Sequence, residues 1–238
     1  FTIIRNIKKY KLIIPKILSK CIWPLLKPKK INYDKKIFLT STKNYPSPSR
    51  DLFAYGKIYN SWEKEIIYKR LEKGSNCIDI GANIGFFTYL FLEKVGKSGK
   101  IFSFENIPEV FVLLKKNFEK DTNVRCQLGE VGVKAGQLII DKLIDIKISF
   151  IKIDIDGADL FALKSCENII KRDKPEIIVE LSEASEREHG IHYNKVIEFL
   201  HNNSYKLFEI DKKLVKFDRN LKENEVINIF ALHFSQKL

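Results

Sequence analysis

Acidic side chains crowd the end of one predicted strand. Residues 147–155 are mainly apolar, and Asp154, Asp156 and Asp159 lie at or just beyond their end. Carboxylates this close repel one another unless a positive charge is near, and Lys152 points to the same face of the strand as Asp154. A carboxylate held in this way can take a proton from an attacking hydroxyl or bind an amine. Asp154 is the preferred candidate for this chemistry, whereas capping of the next helix is an equal alternative for Asp156 and Asp159.

A glycine turn joins an earlier apolar strand to an apolar helix. Residues 79–85 read Asp-Ile-Gly-Ala-Asn-Ile-Gly, with Gly81 and Gly85 on either side of the turn. Glycine lets a ligand approach the main chain, and the free amides of the next helix point at that ligand. The third glycine of a dinucleotide fingerprint is missing, and the Asp79 carboxylate disfavours a pyrophosphate. The turn therefore favours a ligand that is cationic or rich in hydroxyls and amines, and a plain strand-to-helix turn is the alternative.

A second acidic strand end follows the turn. Residues 100–104 are predicted to form a strand that ends at Glu105, 26 positions after Asp79. A carboxylate there can accept hydrogen bonds from two vicinal ribose hydroxyls. A solvated loop glutamate is the alternative interpretation.

Helices and strands alternate along the rest of the chain. Apolar periodicity predicts helices over residues 62–71, 86–95, 108–118, 157–171 and 193–200. Strands are predicted over residues 77–80, 100–105, 123–128, 147–155, 175–181, 205–210 and 226–234. This alternation predicts an α/β fold with a doubly wound, mostly parallel sheet and helices on both faces.

A polar loop is predicted over residues 182–194, and it holds Glu186, Glu188, His189 and His192. Two histidines beside two glutamates can bind a metal, but no fourth ligand has a clear spacing, so no metal site is predicted. A loop that faces the substrate, with His192 or His189 assisting, is the favoured interpretation.

Several motifs occur together and in one order over about 180 residues of the chain. Besides residues 79–85, residues 104–108 read Phe-Glu-Asn-Ile-Pro, residues 150–157 read Phe-Ile-Lys-Ile-Asp-Ile-Asp-Gly, and the strand at 177–181 contains a glutamate near its end. This set resembles the FkbM-type methyltransferases, whose motifs are Asp-x-Gly-Ala-Asn-x-Gly, Phe-Glu-Pro-x-Pro and Lys-x-Asp-x-Glu-Gly. The chain lacks the first proline of the second motif, and it has Asp156 where glutamate is usual in the third.

The resemblance implies a seven-strand-type Rossmann-like methyltransferase sheet with S-adenosylmethionine as the cofactor. It assigns cofactor binding to the turn and the next strand end, that is, to Asp79, Gly81, Ala82, Asn83, Gly85 and Glu105. It assigns catalysis to Asp154, Lys152 and Asp156. The implied reaction is direct transfer of a methyl group from the sulfonium to a hydroxyl oxygen, while a base takes the proton. Family members act on hydroxyls of polysaccharides, glycolipids and secondary metabolites, and fold alone does not choose among these acceptors.

One segment departs from the family pattern. Between Gly136 and Asp141 the family inserts a strand and a variable segment near the active site, whereas this chain runs straight on. A chain shortened there can keep the cofactor fold and lose turnover, so a catalytically impaired S-adenosylmethionine-binding protein is the alternative to an active enzyme. A nicotinamide-dependent oxidoreductase is a weaker alternative, because it needs the missing third glycine.

The net charge of +12 belongs to the start of the chain. Residues 1–36 carry eleven Lys and Arg against one Asp, and the other 202 residues carry 31 basic against 29 acidic side chains. This distribution argues against nucleic acid as a partner of the domain. Residues 1–30 interleave apolar residues with lysines but contain no run of about eighteen apolar residues, so no bilayer-spanning segment is predicted. Two interpretations stay open, a basic amphipathic segment on an anionic membrane or a leader that packs on the domain.

Length and cysteine usage set the wider expectations. A chain of 238 residues with 45% apolar composition predicts one main domain, residues 51–238, after a basic leader and linker, residues 1–50. Four cysteines without a Cys-x-x-Cys pair predict neither a disulfide framework nor a zinc site, and they favour a cytoplasmic location with membrane association left open. The chain begins with Phe and contains no Met, which is compatible with a start further upstream. No feature sets the oligomeric state.

Overall fold

A computed structural model of the chain describes residues 30–33, 35–40, 62–183, 185–210 and 214–238, except for the side chains of residues 33, 188 and 189. The chain divides into two compact units, residues 1–60 and residues 61–238. The predicted leader up to residue 29, the linker at 41–50 and the domain boundary after residue 50 lie outside the described residues and stay predictions. Within the described residues, no helix has the length and apolar character that crossing a membrane requires.

The described part of the first unit is a short hairpin that the sequence patterns did not predict. Strands β1 (Lys30–Tyr33) and β2 (Lys36–Leu39) pair antiparallel, with Lys30 opposite Leu39.

The second unit contains the predicted alternation of elements. Its strands are β3 (Cys77–Ile80), β4 (Ile101–Glu105), β5 (Val124–Leu128), β6 (Phe150–Ile153), β7 (Glu176–Ser182), β8 (Tyr205–Ile210), β9 (Leu214–Lys216) and β10 (Val226–His233). Its helices are α1 (Trp62–Arg70), α2 (Phe86–Val95), α3 (Pro108–Asn117), α4 (Asp159–Ser165), α5 (Glu167–Asp173), α6 (Ser185–His189) and α7 (Asn194–Asn202). Single 3₁₀ turns lie at Gly96–Ser98 and Ile140–Lys142.

One sheet of eight strands organises this unit, in the order β5-β4-β3-β6-β7-β10-β8-β9. The first five strands in this order pair in parallel, and β10, β8 and β9 pair antiparallel at the other side. The predicted doubly wound, mostly parallel α/β sheet is confirmed. Strand β9 is an addition to the seven predicted strands, because three residues are too short a segment to show a strand periodicity.

The central strands are buried on both faces, as parallel strands between helices must be. One face is apolar and joins Ile78, Ile80, Ile151 and Ile153 to a single core with side chains of α4, α5 and α7. The other face carries a buried polar row, in which Ser103, Asp79 and Lys152 lie side by side on β4, β3 and β6. Polar groups on this row lie just below the carboxyl ends of the strands, where α/β sheets bind ligands.

The prediction of one continuous helix over residues 157–171 is wrong, because the chain breaks at Cys166 into two helices, α4 and α5. The Ser165 hydroxyl donates to the Ala162 carbonyl oxygen (2.8 Å) at the end of α4. The Asp141 carboxylate then accepts hydrogen bonds from the Asn168 and Ile169 amides (2.8 and 2.9 Å) at the start of α5. Asp141, 27 residues earlier in the chain, thus caps amides that have no partner within the helix. Because this cap is distant in sequence, local patterns do not predict the helix break.

Candidate active site

The turn after β3 is shaped by its glycines. Gly81 has φ +79° and Gly85 has φ +96°, values that favour glycine. The amides of Gly81 and Ala82 both donate to the Phe104 carbonyl oxygen (3.0 and 2.9 Å), which fixes the turn against β4. A Cβ added at Gly81 would overlap the Asp154 carbonyl oxygen, so the turn also lies directly against the end of β6. Gly81 therefore brings the predicted cofactor turn and the predicted catalytic strand into contact.

Glu105 ends β4 beside this turn. Its Oε2 accepts a hydrogen bond from the Asn83 amide (2.8 Å), and its Oε1 accepts one from the Ile107 amide (2.9 Å). The residue is 5% exposed. Burial raises the pKa of the Glu105 carboxyl, although the backbone hydrogen bonds oppose this shift. A carboxylate offers about four acceptor sites, so Glu105 can order the turn and still accept a hydroxyl donor.

Asp79 lies below the turn and is 1% exposed. Its Oδ2 accepts a hydrogen bond from the Thr88 hydroxyl (2.6 Å), and that hydroxyl also pairs with the Ser103 hydroxyl (2.8 Å). Burial raises the pKa of the Asp79 carboxyl to about 6. The structure thus places Asp79 where it supports the turn from inside, and its predicted contact with the cofactor stays a prediction.

Lys152 is fully buried on the same face. Its Nζ donates to Asp154 Oδ2, the Ile153 carbonyl oxygen and Asn228 Oδ1, each at 3.1 Å, and lies 5.1 Å from the centre of the Phe87 ring. Burial alone would lower the pKa of Lys152, but the attraction of nearby carboxylates, Asp154 first, raises it overall. Lys152 is therefore a charged ammonium that holds the Asp154 carboxylate, as the sequence predicted.

Asp154 follows β6 directly, and its side chain is 35% exposed. Its amide donates to the Ile80 carbonyl oxygen (3.0 Å), so the carboxylate emerges beside the glycine turn. This position suits a group that must reach both a ligand in the turn and solvent. Exposure and ion pairing together fit a carboxylate that receives a proton from an incoming hydroxyl.

Two more carboxylates share this end of the sheet. Asp154, Asp156 and Glu180 each offer an oxygen, and the three oxygens lie within 4.8 Å of one another. Burial, together with the negative charge of Asp154, raises the pKa of Glu180 to about 9. Such oxygens can bind a divalent cation, which would offset the repulsion among the three carboxylates. A proton on Glu180 offsets this repulsion as well. The absence of a metal therefore stays a prediction.

The sequence left helix capping open for Asp159, but α4 has no side-chain cap hydrogen bond, and Asp159 instead closes the loop after β6. Its carboxylate accepts from the Gly157 amide (3.0 Å) and the Ile155 amide (3.3 Å), and it is 2% exposed. Burial raises the pKa of Asp159 to about 6. Asp156 is exposed with φ +50°, at the tip of the loop. Asp159 is thus the structural carboxylate of the pair, and Asp156 lies at the open end of the site.

The predicted substrate loop, residues 182–194, contains the short helix α6. His192 lies against Tyr193, with ring centres 4.3 Å apart, and its Nδ1 accepts from the Asn194 amide (3.2 Å). The side chains of Glu188 and His189 lie outside the described residues, so their predicted part in the loop stays a prediction.

Sequence patterns missed two residues that reach this site from distant elements. Asn228 on β10 accepts from Lys152, and its Nδ2 donates to Glu63 Oε1 on α1 (3.1 Å). Asn228 is 76 residues from Lys152 and 165 from Glu63. A polar residue among the apolar residues 226–232 was the only local signal.

Two family models match successive parts of the chain. The model described as the methyltransferase FkbM domain matches residues 136–207, which include Asp154, Asp156 and Glu180. The model described as protein-L-isoaspartate(D-aspartate) O-methyltransferase matches residues 63–137, which include the glycine turn and Glu105. The boundary between the matches falls between the cofactor turn and the carboxylates.

Two curated relatives align over 50 residues. Protein-L-isoaspartate O-methyltransferase of Methanococcus vannielii is 40% identical over 21% of this chain and 24% of its own length. Ribosomal RNA large subunit methyltransferase E of Buchnera aphidicola subsp. Cinara cedri is 46% identical over 21% of this chain and 22% of its own. The aligned part of the chain thus spans less than a quarter of these relatives. Since one of them is named for ribosomal RNA, the predicted exclusion of nucleic acid has no support here.

Solved structures share the fold at low identity. Fibrillarin of Aeropyrum pernix, solved with natively bound S-adenosylmethionine, superposes with a TM-score of 0.53 and 16% identity over 74% of each chain. A methyltransferase FkbM from Methylobacillus flagellatus KT superposes with a TM-score of 0.50 and 16% identity over 77% of this chain and 52% of its own. The predicted Rossmann-like methyltransferase fold and the resemblance to the FkbM-type family are confirmed.

Proposed function

We propose that the protein is an S-adenosylmethionine-dependent methyltransferase that methylates a hydroxyl oxygen of a sugar, glycolipid, polysaccharide or secondary metabolite. The observation that carries the proposal is the position of Asp154, a partly buried carboxylate that is paired with a buried lysine and follows the strand end that lies against the glycine turn. A cofactor site and a proton acceptor are the two parts that such a reaction needs.

The residues around the turn fit the chemistry of S-adenosylmethionine. Glu105 has carboxylate lone pairs for the ribose hydroxyls, and the glycine turn beside it lies directly against the end of β6. When bound, S-adenosylmethionine supplies an electrophilic methyl group.

The other residues have roles that follow from their contacts. Glu105 orients the ribose end by hydrogen bonds, while its own contacts to the Asn83 and Ile107 amides keep it in place. Asp154 accepts the proton from the acceptor hydroxyl, and the hydrogen bond from Lys152 keeps the carboxylate in place. Orientation of the acceptor and the cofactor supplies much of the rate, because direct transfer needs the reacting atoms in line.

The choice of a hydroxyl acceptor rests on the second half of the chain. The FkbM match covers residues that form the carboxylate side of the site, whereas the isoaspartate methyltransferase match covers only the turn side. The resemblance to the FkbM-type family therefore favours glycan, lipid-linked or secondary-metabolite hydroxyls. A cytoplasmic location, with peripheral membrane contact through residues 1–36, completes the proposal.

Transfer of a labelled methyl group tests this function. The full chain would be incubated with methyl-labelled S-adenosylmethionine and with separate glycan, lipid, protein and RNA fractions, beside the Asp154→Asn variant. We expect label in the glycan or lipid fraction and at least a 100-fold slower transfer by the variant, since a general base contributes about 10² to 10⁴ in rate. Label only in protein or RNA would contradict the acceptor class. Binding of S-adenosylmethionine without transfer into any fraction would favour the impaired binding protein.

A further inference from the structure

One of the hydrogen-bond acceptors of the Lys152 ammonium comes from outside the motif at residues 150–157. A fully buried ammonium needs acceptors for its protons, because burial without hydrogen bonds is costly. Two acceptors come from its own strand end, the Ile153 carbonyl and the Asp154 carboxylate. The third is the Asn228 amide oxygen on β10, two strands away in the sheet.

Asn228 also connects Lys152 to a helix. Its Nδ2 donates to Glu63 Oε1 on α1, so one carboxamide accepts from the ammonium and donates to a carboxylate. In the sheet register, Asn228 lies opposite Glu180, which places it at the same level as the carboxylates of the site. The resulting chain runs Glu63–Asn228–Lys152–Asp154 and joins α1, β10 and β6.

We propose that Asn228 is a positioning residue that, supported by Glu63, aims the Lys152 ammonium at Asp154 and thereby sets the place of the carboxylate that accepts the proton. The proposal rests on the proposed function and deepens it, because it assigns part of the catalytic geometry to a residue far from both motifs.

An amide is the side chain that suits this place. A carboxylate at position 228 would add a negative charge beside those of Glu63 and Asp154. An apolar side chain would leave Lys152 with one acceptor fewer and Glu63 without its donor. Asparagine supplies an acceptor and a donor without adding charge.

Three variants of the full chain test the proposal. Asn228→Leu removes both contacts. The double variant Glu63→Gln/Asn228→Asp exchanges the amide and the carboxylate, so the number of charges and the two hydrogen bonds are preserved. Asn123→Ala is the matched control, because Asn123 makes two side-chain contacts, to the Gly96 and Gly99 carbonyls, at the start of β5 and away from the site.

The kinetic readout separates positioning from general support of the fold. We expect Asn228→Leu to lower kcat by about 10- to 100-fold, the scale of a small misplacement of a reacting group. The KM for S-adenosylmethionine should change less than about twofold, since the two side-chain hydrogen bonds of Asn228 go to Lys152 and Glu63 and not to the glycine turn. The double variant should recover most of kcat, whereas Asn123→Ala should keep kcat even if its melting temperature falls as far as that of Asn228→Leu.

A second readout does not need turnover. With ¹⁵N-labelled lysine, the Lys152 ammonium signal, assigned by its loss in Lys152→Met, should be visible in the wild type because burial and hydrogen bonding slow proton exchange. We expect the signal to disappear in Asn228→Leu, to return in the double variant and to persist in Asn123→Ala. An unchanged signal in Asn228→Leu, or unchanged kcat, would overturn the proposal. A wild type that transfers no methyl group would refute the proposed function, while the ammonium signal would still decide the role of Asn228.

Discussion

The two sides of the ligand-facing sheet edge are built in different ways. On the turn side, residues 81–85 and Glu105, polar groups are satisfied by backbone amides and carbonyls close in sequence or on the adjacent strand. On the carboxylate side, the carboxyl groups of Asp154, Asp156 and Glu180 crowd together. Lys152 pairs with Asp154 there and also donates a hydrogen bond to Asn228. The turn side is fixed mainly by backbone hydrogen bonds, whereas the carboxylate side is held by interactions between ionisable side chains.

Under the proposed function, this difference corresponds to a division between cofactor binding and chemistry. A backbone-built turn holds a ligand in one place and tolerates little change of shape. A cluster of ionisable groups responds to protonation, to the acceptor and to charge substitutions. We therefore expect changes on the turn side to act on folding and cofactor affinity, and changes on the carboxylate side to act on rate.

The largest effect should come from Gly81→Ala. The added Cβ would overlap the Asp154 carbonyl oxygen, and the backbone has φ +79°. Overpacking costs about 1 to 3 kcal/mol and a left-handed conformation about 1 to 2 kcal/mol more, so the free energy of unfolding should fall by about 3 kcal/mol. Urea denaturation measures it.

Gly136→Ala is the matched control for Gly81→Ala. Gly136 has φ +86°, but an added Cβ there would meet nothing within 4 Å. Only the cost of the backbone conformation, about 1 to 2 kcal/mol, should remain. Equal losses in the two variants would mean that contact between the turn and β6 does not matter, and the contrast between the sides would weaken.

The pH dependence of stability should reveal Asp79 beneath the turn. Burial raises its pKa from 3.8 to about 6 in the folded protein. Between about pH 4 and pH 6 the unfolded chain has released this proton while the folded protein keeps it, so raising the pH through this window favours unfolding. Relative to Asp79→Asn, the wild type should lose up to about 3 kcal/mol across the window, at 1.36 kcal/mol per pKa unit.

Denaturation of the wild type and Asp79→Asn at several pH values measures this difference. Thr88→Val removes the hydroxyl that donates to Asp79, so it should move the upper end of the window to higher pH. A difference between the wild type and Asp79→Asn that stays constant from pH 4 to pH 7 would contradict the assignment.

Glu105→Gln should weaken binding of S-adenosylmethionine with little effect on kcat. Loss of a charged hydrogen bond costs about 1.5 to 3 kcal/mol, which is roughly 10- to 100-fold in Kd. Calorimetry measures the change, with the exposed Glu109→Gln as a control on the neighbouring helix. If affinity holds while kcat falls, Glu105 acts on the chemistry and the proposed division of roles is wrong.

The smallest effect should come from Glu180→Gln near pH 7. Burial and the charge of Asp154 raise the pKa of Glu180 to about 9, so the carboxyl is already neutral at pH 7 and the amide resembles it. Turnover should stay within about threefold of the wild type at pH 7 and should differ only as the pH rises through 9. A large loss at pH 7 that depends on added Mg²⁺ would show that the three carboxylates hold a cation instead.

Sequence patterns predicted the turn side better than the carboxylate side, for a physical reason. Gly81, Gly85 and the neighbouring strand end follow from local backbone requirements, which leave a readable spacing. The pairing of Lys152 with Asp154 is also local, since both residues lie on one strand face. Asn228 and the Asp141 cap act across long sequence separations, and only the tertiary fold brings such residues together.

Calorimetric titration of S-adenosylmethionine and its demethylated product into the full chain tests the central claim most directly. The glycine turn, with Glu105 beside it and Asp79 beneath it, should bind both ligands with micromolar Kd, a binding free energy of about −8 kcal/mol. Asp154→Asn should bind them with the affinity of the wild type, because the carboxylate side acts on rate. Absence of heat with either ligand, on protein shown to be folded, would contradict the account.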